Sequence, residues 1–203
     1  MTRSRRILTL MAIAVLTLIP CLWIANEVYA SHSRRVMERA VVAVQELRLS
    51  ETTLAEARDR LQAVTGRSVG PSLDPDGNTE MNASLVVPQG GLKRLGRVFR
   101  FSITLKFDSG NRLTSKRVLL SSNSYACCSA EVWELSSLAG RETGRFQVLR
   151  YDPYSIIVHL GPDADSAESK TAWDWQLSCL TSTDGCNDVR RILPTLRLPP
   201  RNE

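Results

Sequence analysis

Hydrophobic positions follow three different rules along the chain. Residues 7–25, ILTLMAIAVLTLIPCLWIA, are nineteen consecutive residues without a charge, preceded by Arg3, Arg5 and Arg6. At about 1.5 Å per residue, a helix of that length reaches about 28 Å, close to the hydrocarbon thickness of a bilayer. Over residues 33–49 the period becomes helical. Val36 or Met37, Ala40, Val41, Val44 and Leu47 recur at three- and four-residue spacing behind Ser33, which has N-cap chemistry. This stretch is either a separate helix or the first helix continuing outward as a stalk. Thr53-Leu54-Ala55-Glu56 has the spacing of a capping box, Leu54, Ala57, Leu61 and Val64 form the stripe behind it, and Gly66 supplies a stop. Residues 66–82 carry Gly, Pro, Asp and Asn without a period and read as a loop.

Beyond the loop the period falls to two. Phe99, Phe101, Ile103, Leu105 and Phe107 alternate with Arg100, Ser102, Thr104 and Lys106, which is the pattern of a half-buried strand over residues 97–107. Asp108-Ser109-Gly110-Asn111 is turn chemistry, and residues 112–121 return as the hairpin partner. Three more strands are expected at residues 130–135, 145–151 and 154–160. Helices first and then a run of antiparallel strands predict an α+β fold, with a helical pair packed on a mainly antiparallel sheet. The expected division is a cytoplasmic N-terminus at 1–6, a transmembrane anchor at 7–25 and a juxtamembrane helical segment at 26–65. The loop at 66–82, a β-rich extracytoplasmic domain at 83–194 and a frayed tail at 195–203 complete it.

Flanking charge sets the expected orientation. Three arginines and no acid precede the apolar run, while Glu27 and Glu38 partly offset the arginines behind it, so the positive-inside bias places the N-terminus in the cytoplasm. Trp23 and Tyr29 lie where interfacial rings settle. The expected location is the inner membrane, single-pass, with the bilayer as partner through residues 7–25 and the domain in the periplasm. Two alternatives stay open. Val28-Tyr29-Ala30 has the small-residue pattern of a signal-peptide cleavage site, and Cys21 follows Leu18-Ile19-Pro20 somewhat as a lipidated cysteine follows a lipobox.

The formal charge of +5 overstates basicity, because the three N-terminal arginines contribute much of it. The chain beyond the apolar run is nearly balanced and holds no block of like charge, so nucleic acid is not an expected partner. Four of the five cysteines, Cys127, Cys128, Cys179 and Cys186, lie outside the apolar run. An oxidising compartment makes them disulfide candidates, with Cys179 and Cys186 favoured across the turn-like Ser182-Thr183-Asp184-Gly185. Cys127 and Cys128 are adjacent. They form either a strained vicinal disulfide or one bond to a distant partner. Their spacing lacks the paired C-x-x-C of a structural zinc site, and neither a metal nor a cofactor is expected.

Catalytic chemistry needs a nucleophile, a base and a group that orients the base. Only two histidines are present. His32 falls in the membrane-proximal stretch, and His159 sits in a strand on the side opposite Ile156, Val158 and Leu160. Glu131 and Glu134 are an odd spacing apart and point to opposite faces of a strand. No catalytic residues are therefore expected. Trp173 and Trp175 share a face in an extended segment and are a candidate interaction patch.

Residues 175–194, WQLSCLTSTDGCNDVRRILP, resemble the C-terminal C-L-T…G-C…L-P segment of uncharacterised bacterial membrane-anchored proteins. The resemblance implies a bacterial envelope setting and carries no activity. The expected function is that of a binding or scaffolding module of the cell envelope. The alternatives are a redox-responsive or small-ligand sensor using Cys127 and Cys128, and thirdly an enzyme of unknown type.

Overall fold

The computed structural model describes residues 3–74, 77–88, 98–123, 128–136, 146–152, 154–182 and 185–196. Helix α1 spans Arg3–Gln45 without a break, so the apolar run and the amphipathic stretch behind it are one helix, with Pro20 inside it. Its two ends meet different surroundings. Leu10, Leu16 and Leu22 are more than half exposed, whereas Ala30, Met37, Ala40 and Val44 are wholly buried. The exposed part is long and apolar enough to cross a membrane. Burial begins at Ala30, only five residues past Ala25.

Helix α2, Leu54–Thr65, starts at the expected capping box. Thr53 accepts from the Glu56 amide, Glu56 accepts from the Thr53 amide, and Gly66 closes the helix at φ 65° in the left-handed region. The corner between the two helices is pinned to a hairpin turn. Ser50 N–H donates to the Leu113 carbonyl at 2.7 Å, Leu113 N–H to Thr52 at 3.0 Å, and Leu54 N–H to Asn111 at 3.1 Å. Asn111 has φ 58°, a conformation that Asn tolerates better than most side chains.

Seven strands form one sheet: β1 Pro71–Leu73, β2 Thr79–Pro88, β3 Val98–Phe107, β4 Leu113–Ser122, β5 Ser129–Leu135, β6 Gln147–Asp152 and β7 Ser155–Leu160. Their spatial order is β1-β2-β3-β4-β5-β7-β6. All neighbours are antiparallel except β5 and β7, which run parallel. The expected run of antiparallel strands is corrected on this point. The β6–β7 hairpin docks through its second strand, leaving β6 at the edge. The loop expected at 66–82 is also revised, since it contains β1 and the start of β2. Strand β3 shows the expected alternation, with Phe99, Phe101, Ile103, Leu105 and Phe107 all buried.

A single buried cluster combines Met37, Val41, Val44 and Leu47 of the first helical stretch, Ala57 and Leu61 of α2, and the inward residues of the strands. The C-terminal segment contributes Ala172, Trp173, Trp175, Leu177, Leu180, Val189, Ile192 and Leu193 to the same cluster. A short helix, α3 Ser166–Ala172, begins this segment at an Asp165–Glu168 capping box. Leu196 is still buried, so the tail expected to fray from 195 is packed at its start, and residues 197–203 lie outside the described residues.

Cys179 and Cys186 are joined in a disulfide, as their spacing suggests. Cys128 is buried with its Sγ 2.7 Å from the Cys186 carbonyl oxygen. Cys127 lies outside the described residues, and with it the vicinal pair. Closing a loop whose ends are seven residues apart stabilises the fold by about 2.5 kcal/mol through the entropy of the unfolded chain. Replacing both Cys179 and Cys186 by Ser should lower stability by that amount, read as a drop in the urea midpoint at unchanged m. A variant as stable as the parent would mean that the packing around Leu180 and Val189 closes the loop unaided.

Candidate functional site

Trp173 and Trp175 were candidates for an exposed patch. They are instead 2% and 8% exposed, because the segment after α3 turns inward and both rings join the core. Trp175 meets Phe101 edge to face at 6.3 Å between ring centroids. Its indole nitrogen is buried without a hydrogen-bond partner among the described residues. Both rings reach the floor of a groove of about 540 Å³ that runs between α1 and the α3–Trp175 segment. Glu38 and Val42 of α1 form one wall, and Lys170, Thr171 and Asp174 form the other. Val42 is 52% exposed on a helix whose neighbouring Val41 is buried.

Behind Trp173 lies a buried ionic node. Lys116, on β4, is 3% exposed. Its ammonium donates to the carbonyls of Leu47 at 2.8 Å and Gln45 at 3.2 Å, and pairs with Glu134 on β5 at 3.2 Å. It also stands over the Trp173 ring, 5.1 Å from the centroid, while Trp173 Nε1–H donates to Glu134 at 2.7 Å. Register explains the meeting, because Lys116 and Glu134 are cross-strand partners on the core face. Burial pushes the Lys116 pKa below 10.5, and the neighbouring Glu134 carboxylate opposes that shift. The three acceptors match the three N–H donors of a lysine ammonium, which makes the node a fastener between β4, β5 and the chain at the end of α1. The Gln45 carbonyl is one that the end of α1 leaves unsatisfied, and Leu47 lies two residues past that end.

The opposite face of the sheet carries a second polar row. Arg117 pairs with Glu131 at 2.7 Å and lies over the Trp133 ring, and Trp133 meets His159 edge to face at 4.8 Å. His159 is thus on the side away from Ile156 and Val158, as its strand position implies. Asp152 and Ser155 face each other across β6 and β7, while His159 stands four residues further along β7, so the three are not gathered at one point. Asp152 accepts from the Tyr154 amide, Ser155 meets the Ser129 hydroxyl at 3.2 Å, and His159 packs edge to face on Trp133. Glu131 and Glu134 also fall on opposite faces, since their ion-pair partners Arg117 and Lys116 are successive residues of β4. Among the described residues no group of three metal-ligating side chains comes together.

His32 lies further toward the N-terminal, exposed part of α1, against a small pocket of about 150 Å³ that it lines with Tyr29, Ser33, Thr65, Arg67 and Val86. The sequence alone does not reveal this pocket, because its walls come from three elements far apart in the chain. The Lys116–Glu134 node escapes a sequence reading for another reason. Each charge occupies a core-facing step of a strand, in Lys116-x-Val118-x-Leu120 and in Ala130-x-Val132-x-Glu134. A lone charge completing an inward stripe was the available signal. Compared with known protein families, with curated proteins and with solved structures, the chain matches none.

Proposed function

We propose that the chain is a single-pass membrane protein whose α+β domain, with the α1–α2 pair on the sheet, acts as a binding or scaffolding module of the cell envelope. In this reading residues 7–25 span the inner membrane with residues 1–6 in the cytoplasm, and the domain stands on the periplasmic side. One observation carries it: α1 runs unbroken from an exposed apolar segment into the centre of the core. A helix shared in this way holds the domain at a fixed height and orientation on the bilayer. A flexible tether would serve an enzyme acting on diffusing substrates. A fixed mount serves a module that presents one surface to a neighbour. The disulfide agrees with an oxidising compartment.

The surface best suited to that neighbour is the groove beside Val42, with an apolar wall, two tryptophan edges and charges of both signs at its rim. A photo-crosslinking amino acid at Val42 should give one discrete adduct in intact cells, and the same probe at Leu73 on the far sheet edge should give none. Identical adduct ladders at both positions, or no adduct at Val42, would remove the groove as the binding surface.

A further inference from the structure

We propose that the small pocket between α1, the end of α2 and the edge of β2 is a headgroup site for an anionic phospholipid of the leaflet in which the protein stands. The inference rests on the membrane-anchor reading above and adds a ligand and a site to it.

Position comes first. Tyr29, His32 and Ser33 follow Ala25 by four to eight residues on one continuous helix, about 6 to 12 Å along its axis. The polar layer of each leaflet is about 5 to 8 Å thick. The pocket therefore opens within that layer or on it, before any correction for helix tilt, which would bring it closer. The C-terminal turn of α2 brings Thr65 and Arg67 to the same level, because Gly66 takes a left-handed conformation and reverses the chain there. Leu85 and Val86 of β2 close the third side.

Lining chemistry comes second. Arg67 supplies a guanidinium, and Tyr29, Ser33 and Thr65 supply hydroxyls. Thr65 spends its proton on the Leu61 carbonyl at 2.7 Å, so the hydroxyls left to donate are those of Tyr29 and Ser33. His32 adds ring nitrogens. Val36, Leu85 and Val86 supply apolar wall, and the described lining contains no acid. Arg67 is exposed, and its one side-chain hydrogen bond among the described residues, to the Ser84 carbonyl at 3.5 Å, is at the outer limit for such a contact. A guanidinium so placed has donors left for a phosphate. Val86 is 46% exposed beside it, where an acyl chain would emerge from the glycerol. A volume of about 150 Å³ falls below the range of drug-sized ligand pockets and suits a headgroup fragment whose remainder stays in the bilayer.

The test uses full-length protein in nanodiscs of phosphatidylcholine alone or of phosphatidylcholine with phosphatidylglycerol. Lipid retained by the protein after mild delipidation is then identified by native mass spectrometry. Phosphatidylglycerol should be retained preferentially, and Arg67→Ala should cut that preference about fivefold, the effect of one interfacial cation. Arg67→Lys should restore most of it. Arg48→Ala, an equal charge loss at the far corner of the domain, should leave it unchanged. Equal loss in the Arg48 and Arg67 variants, or no preference in the parent, would overturn the site. So would displacement of the retained lipid by inorganic phosphate alone, which would make the pocket a free-phosphate site. Failure of the parent to enter nanodiscs at all would instead defeat the anchor reading, so the two failures are distinct.

Discussion

Deleting residues 1–25 should leave a soluble domain that unfolds cooperatively, and deleting residues 1–45 should leave no folded domain. Both expectations come from the division of labour within α1. From Leu10 to Ile24 the large apolar side chains are exposed and contribute nothing to the core, so removing the segment takes away an extended apolar surface. Downstream, Val36, Met37, Ala40, Val41 and Val44 are buried. At about 1.5 to 3 kcal/mol for each of the four larger side chains, and less for the alanine, they are worth about 6 to 12 kcal/mol, the whole net stability of an ordinary domain. In the full-length chain, Ile13→Arg with Leu16→Arg should move the protein from the membrane to the soluble fraction. Two arginines at mid-bilayer cost insertion about 5 to 7 kcal/mol. Urea titration followed by circular dichroism reads the truncations, and sedimentation of lysates reads the substitutions. A 1–25 deletion that still pellets with membranes, or a 1–45 deletion with a native-like transition, would separate anchor from core and defeat the mount.

Local signals were most legible where one residue decides local geometry. The Thr53–Glu56 box, the Gly66 stop and the Asp108–Asn111 turn are each set by hydrogen bonds within a few residues, and all three appear where the sequence puts them. The inward stripe of β3 was equally plain because five large apolar residues alternate without exception. β2 was obscured. Its inward residues Met81, Ala83, Leu85 and Val87 alternate too, but Val86 on the outer face and Pro88 at the end blur the period. The parallel step between β5 and β7 could not be read locally, since hairpin chemistry at residues 152–154 fixes only the β6–β7 pair. The burial of Trp173 and Trp175 was likewise hidden. An extended tryptophan pair looks the same whether it faces solvent or a core, and the groove and the basal pocket exist only once α1 is laid beside chain segments about thirty residues away or more.

Glu134→Ala should be among the most destabilising single substitutions in the domain, costing about 3 to 5 kcal/mol. It leaves the Lys116 ammonium buried without its counter-charge and strips Trp173 Nε1 of its acceptor. Lys116→Met should cost less than that, since a flexible apolar side chain fills the same space. It still abandons the carbonyls of Gln45, at the end of α1 where the helix supplies no donor, and of Leu47 just past it. The double variant Lys116→Met with Glu134→Leu should recover part of the Glu134→Ala loss, because no unpaired charge then remains in the core. The sign of the pH response distinguishes this node from a simple packing defect. Lys116 has a folded-state pKa below 10.5, so the folded protein binds fewer protons than the unfolded chain between those two values, and its stability rises with pH across that window. Removing Glu134 takes away the interaction that holds the proton on, which lowers the folded value further and widens the window. The deficit of Glu134→Ala should therefore shrink as pH is raised from neutrality toward 10.5, while that of Lys116→Met, which has no such proton to lose, should not shrink. Parallel pH profiles for the two variants would show that shape alone matters at this junction, and that the charge pair does not fasten the end of α1 to the sheet.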